Sequence, residues 1–117
     1  MAKITEKNIA DSFQQGVLVY QKSISKKEAV DYLSDTGMHK KSASMYITCV
    51  IALLSGTQYG STVNENATEY FLKKIYADFG KDHLIHALDA LKLHLEYQEG
   101  KNNLPGLWHL HDRYSKV

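Results

Sequence analysis

Between Met45 and Leu54 the chain reads MYITCVIALL, an uncharged run that no other part of the sequence matches. It is about half the length of a membrane span, so its apolar surface has to be covered by the rest of the chain. Placed on a helix, Met45, Tyr46, Ile47, Val50, Ile51, Leu53 and Leu54 leave little room for a polar side. A helix of that kind is central and packed on by others. The segment before it reads as a second, shorter helix. Ser25 followed by Glu28 is a capping box that starts it, Ala29, Val30 and Leu33 give it an apolar side, and Gly37 supplies the backbone freedom to stop it. The apolar helix then spans 39–55 and stops at Gly56. Helix, short glycine turn and second helix together make residues 25–56 a helix-turn-helix-like unit.

The helical period continues on both sides. Ile4, Ile9, Phe13, Val17 and Tyr20 mark one face of a first helix, closed by Gln21 to Ser23. After a loop from Thr57 to Val63, Asn64 is the expected N-cap of a fourth helix in which Ala67, Tyr70, Phe71, Ile75 and Phe79 face inward; Gly80 ends it. Asp82 is the expected cap of a fifth, with Leu84, Leu88, Leu91 and Leu95 as its seam, and Gly100 ends that one. Pro105 precedes a short last helix with Leu107, Trp108 and Tyr114. No strand pattern, repeat or low-complexity linker interrupts. The sequence therefore predicts an all-α fold, a compact bundle of five to six helices forming a single domain over 1–117.

Charge is unevenly placed. Residues 1–63 hold seven lysines against five acids, and residues 64–117 hold seven basic residues against eight acids. Lys22, Lys26, Lys27, Lys40 and Lys41 crowd the hairpin, facing Glu28, Asp31 and Asp35. At the start of the apolar helix, His39, Lys40, Lys41, Ser42 and Ser44 are short or basic donors suited to phosphates and base edges. DNA is the partner this pattern predicts, held by Lys26, Lys27, Lys40 and Lys41. An ordinary bundle hairpin with solvated lysines is the alternative, and a near-neutral chain would bind DNA weakly unless paired or tethered. In the loop, Tyr59 among Gln58, Gly60, Ser61 and Thr62 reads as an exposed ring. It would lie against a base or sugar, or cover the hairpin's end.

Catalysis finds no support. The six histidines are scattered: His86 and His94 share a helix face but lie too far apart to chelate one ion, His83 and His86 lack a third ligand, and His109 and His111 point to different sides. No HExxH, CxxC or phosphate loop occurs. Neither a metal nor another cofactor is expected. The lone cysteine, Cys49, reads as a buried small hydrophobe. Without a disulfide framework, signal peptide or membrane span, the expected location is the cytoplasm.

Ser42-Ala43-Ser44 with Tyr46-Ile47, then Leu54, Gly56, Tyr59 and Thr62, begin a larger pattern. It continues through Ala67-Thr68, Tyr70-Phe71-Leu72, Phe79-Gly80 and Ala87-Leu88 to Ala90, His94, Glu96 and Tyr97. This pattern resembles a helical N-terminal module of bacterial HNH endonucleases of the restriction or genome-defence kind. It covers most of residues 25–98 and consists of core and loop positions, not a catalytic signature. The resemblance implies a non-catalytic module that precedes a nuclease domain and engages DNA or dimerises. The ββα-metal motif with its zinc cysteines is absent, and Ser61 follows Gly60 where a basic residue is expected before the loop threonine. The alternative is a protein-interaction or dimerisation module, a phage- or defence-associated regulator, pairing as a homodimer through the fifth helix.

Overall fold

The computed structural model describes residues 4–101 and 104–117. Among them are six helices and no strand: α1 (Glu6–Tyr20), α2 (Lys26–Asp35), α3 (Lys40–Ser55), α4 (Glu65–Phe79), α5 (Lys81–Gln98) and α6 (Pro105–Tyr114). The all-α expectation holds. The chain forms two compact units, residues up to Ile51 and residues from Ala52, with the boundary inside α3.

In the first unit, α1 opens with a capping box. Thr5 Oγ1 accepts from the Asn8 amide at 3.1 Å while Asn8 Oδ1 accepts from the Thr5 amide at 3.0 Å. The same reciprocal arrangement joins Ser25 and Glu28 at the start of α2. Ile9, Ser12, Phe13 and Gly16 bury one stripe of α1, at the i, i+3, i+4, i+7 spacing of a helix face. The first helix packs on α2, which buries Ala29 and Leu33 completely. Gly16 meets α3 so closely that an added Cβ would lie 2.6 Å from Val50 Cγ1. Gly37, at φ 109, ends α2 in a Schellman motif: its amide reaches the Ser34 carbonyl, and the Met38 amide reaches that of Leu33, both at 3.1 Å. Met38 is buried there, with Ser12 Oγ donating to its sulfur at 3.5 Å. On α3, Tyr46, Ile47, Cys49 and Val50 are buried, whereas Met45 and Ile51 are partly exposed and Thr48 faces solvent. The helix is therefore not covered on every side.

In the second unit, Ala52, Leu53 and Leu54 are buried at the end of α3. Asn64 caps α4 as expected, its Oδ1 accepting from the Ala67 amide at 2.7 Å. Asp82 does not cap α5. Gly80, at φ 93, closes α4 and opens α5 at once, so α5 starts at Lys81 without a side-chain cap. Helices α4, α5 and α6 pack on one another. The seam Leu84, Leu88, Leu91 and Leu95 is buried within the chain, so it is core and cannot be the face that pairs two copies. Leu107 and Leu110 anchor α6, while Trp108 is 37% exposed. Glu69 on α4 ties down the end of α6, accepting from the Arg113 guanidinium and the Tyr114 hydroxyl, each at 3.2 Å.

Candidate nucleic-acid interface

Three of the expected lysines have placed partners on the hairpin, two of them the same carboxylate. Lys26 Nζ donates to Thr48 Oγ1 at 2.8 Å, which fastens the first turn of α2 beside the third turn of α3. Lys27 Nζ lies 3.2 Å from one oxygen of Asp31, and Lys40 Nζ lies 3.9 Å from the other. Two ammonium groups thus converge on a single carboxylate, with their side chains 88% and 71% exposed. Exposed pairs of this kind contribute about 0.2–1 kcal/mol each, so a phosphate can replace Asp31 at little cost. Lys41, next in sequence, is exposed, whereas Ser42 and Ser44 are half-buried. His39 is exposed as well. It stands as the cap of α3, its Nδ1 accepting from the Lys41 amide at 3.3 Å and its carbonyl from the Ala43 amide at 2.9 Å.

Tyr59 and Thr62 belong to the second unit, where they meet around His94. The exposed ring expected in this loop is not there. Tyr59 is 4% exposed and stacks on the His94 imidazole, with centroids 4.2 Å apart and planes 8° apart. His94 is fully buried with both ring nitrogens engaged. Nδ1 lies 2.6 Å from the Tyr59 carbonyl, and Nε2 lies 2.8 Å from Thr62 Oγ1. A carbonyl can only accept, so Nδ1 carries the proton and Nε2 accepts from the Thr62 hydroxyl. Gln98 Nε2 donates to the Gly60 carbonyl at 2.9 Å, a turn further along α5. Together these groups hold the loop against α5, which makes it cover for the core. Burial keeps the His94 imidazole below the usual histidine range, and its bond to the Tyr59 carbonyl opposes that shift.

The remaining histidines form no common site. Eight residues on a helix leave a rotation of about 80°, so His86 is exposed where His94 is buried, and the two do not share a face. His83 lies between Phe79 and His86, at ring distances of 5.2 and 5.9 Å. His109 is exposed while His111 is half-buried against Trp108. Burial lowers the His111 pKa and Lys92 adds to this, opposed by Asp112, Asp89 and the Leu88 carbonyl. Among the described residues no three His, Cys, Asp or Glu side chains converge to hold a metal ion. Nor is any helix among them long and apolar enough to cross a membrane. Cys49 is buried.

No protein-family model, curated protein or solved structure matches the chain.

Proposed function

We propose that this chain is a non-catalytic DNA-binding module that takes backbone phosphates on the lysines of the α2–α3 hairpin. The observation that carries this reading is the convergence of exposed Lys27 and Lys40 on the Asp31 carboxylate, with Lys26 and Lys41 adjoining in sequence. Two cations around one half-buried acid leave a local positive excess, and the long lysine stems can turn from that acid to a phosphate. Ser42 and Ser44 are half-buried, which favours backbone contact over reading of base edges. The setting as the targeting module of an HNH nuclease is part of the proposal and rests on the resemblance in residues 25–98.

The test is fluorescence anisotropy with labelled duplex and single-stranded DNA over about 50–200 mM salt. Changing Lys40 and Lys41 together to Ala lowers affinity and reduces the slope of log K against log salt by nearly two units, because each phosphate contact contributes about 0.9 on B-DNA. Asp31→Asn acts in the opposite direction, since it removes the carboxylate that competes with phosphate. If the double variant matches wild type in both affinity and slope, the hairpin is not the DNA-binding surface.

A further inference from the structure

The outer face of α5 carries a second charged surface, of the opposite sign. Asp82, Asp89 and Glu96 are exposed and stand seven residues apart, a spacing that turns by only about 20° per step and so forms a nearly straight row along the helix. Ile85 and the exposed Lys92 flank the row on one side and Leu93 on the other, with Tyr97 near its end. Ile85, Leu93 and Tyr97 are 47%, 41% and 45% exposed, and three acids against one lysine leave the face negative. Exposed apolar side chains beside a row of acids suit a partner with aliphatic stems and positive tips, which is what lysines provide. The chain already contains one such contact, for Lys101 Nζ sits 4.3 Å above the Tyr97 ring.

Two α5 faces match poorly, since each carries three acids against the one Lys92. Antiparallel about Asp89, Asp89 would meet Asp89 and Asp82 would meet Glu96; parallel and in register, each acid would meet its own copy. The complementary surface within this sequence is the hairpin, where Lys26, Lys27, Lys40 and Lys41 are all exposed. We infer that the outer face of α5 docks the basic hairpin of a second copy of this chain, in a head-to-tail contact. Lysine stems lie over Ile85, Leu93 and Tyr97, and the ammonium groups reach Asp82, Asp89 and Glu96. A contact of one helix face with one hairpin belongs to the small, transient class of interfaces. Being heterologous, it joins unlike surfaces of the two copies. The inference goes beyond the DNA-binding reading and does not require it.

Sedimentation of the full chain without DNA is the test, at about 10 mM salt, where charges act over about 30 Å, and at about 1 M, where they act over about 3 Å. The mean mass of wild type rises with concentration at low salt and returns to that of the monomer at high salt. Asp89→Lys with Glu96→Lys abolishes the rise, as does Lys40→Glu with Lys41→Glu. An equimolar mixture of the two variants restores it, because each then offers the surface that the other lacks. All four positions are exposed, so helical circular dichroism should match wild type; Asp89→Asn with Glu96→Gln gives a milder second disruption that weakens the rise. The inference is overturned by a wild type that stays monomeric at low salt, by association that survives 1 M salt or either reversal, or by a mixture that fails to associate. DNA affinity is read separately on the α5 variant as a monomer, so loss of one reading leaves the other standing.

Discussion

Lys22 stands at φ 62 just past the end of α1, in the place where a helix of this kind usually has glycine. Its amide reaches the Val19 carbonyl and the Ser23 amide reaches that of Leu18, both at 2.9 Å, which is a Schellman ending around a residue with a Cβ. A left-handed conformation costs an L residue roughly 1 kcal/mol, so Lys22→Gly should stabilise the chain by about 0.5–1 kcal/mol in denaturant unfolding. An unchanged or lower midpoint would show that the Lys22 side chain contributes something that offsets the strain. His94 makes a prediction about pH. Its folded pKa lies below the usual value of 6.5, so the folded chain binds fewer protons than the unfolded one as pH falls through that value. The stability linked to His94 is complete above about 6.5 and declines as acid is added towards the folded pKa. Depression of His111 acts with the same sign. His94→Gln should therefore lower stability at neutral pH by about 1–3 kcal/mol, through loss of a buried bonded group, and flatten part of the acid decline. Urea midpoints at several pH values check this, and an equally steep decline in the variant would assign the dependence elsewhere.

At the scale of the helix, Gly16 marks a close approach of α1 to α3. A methyl group there would lie 2.6 Å from Val50 Cγ1 and 2.7 Å from its Cβ, and a β-branched side chain inside a helix has little freedom to move aside. Gly16→Ala should cost about 1–3 kcal/mol by overpacking, despite alanine's better helix propensity. Adding Val50→Ala should recover part of that loss, which a double-mutant cycle measures as coupling; additive losses would mean the two residues do not meet. The helices themselves are legible in the sequence because their signals are local. The Ser25–Glu28 box, the Asn64 cap and the stops at Gly37 and Gly80 each act within one turn, and the structure has all of them. Asp82 misleads because α4 and α5 share Gly80, leaving no linker in which a cap could stand. Ile51 and Met45 mislead because periodicity counts apolar residues without showing which are covered. The loop is harder still. Tyr59 and Thr62 meet His94 across 35 and 32 residues, a distance at which pattern is silent. The one available hint is that His94 and Gln98 lie four apart beside the leucine seam, since a polar side chain on a buried face has to find partners. The lysine cluster is legible as composition, whereas the sharing of Asp31 by Lys27 and Lys40 is not.

For the whole molecule, the net charge of +1 limits what one copy can do with a polyanion. Affinity for DNA comes largely from counterions released as lysines neutralise phosphates, and a single hairpin offers only a few. An isolated copy should bind duplex DNA in the non-specific range of about 10⁻⁴–10⁻⁶ M at physiological salt. The acidic row on α5 would gain nothing from DNA, so improvement has to come from adding hairpins and not from enlarging one contact. Two copies joined by a flexible linker should bind a long duplex more tightly than one copy by about 10²–10⁴-fold, through effective concentration alone. The salt slope should nearly double, because twice as many phosphates are engaged. The same tandem chain with Lys40→Glu and Lys41→Glu in one copy should return to the affinity and slope of a single copy. Anisotropy titrations of the three proteins on one duplex decide the matter. A single copy that binds at nanomolar affinity, or a tandem that gains neither affinity nor slope, would show that the hairpin lysines are not what holds the DNA.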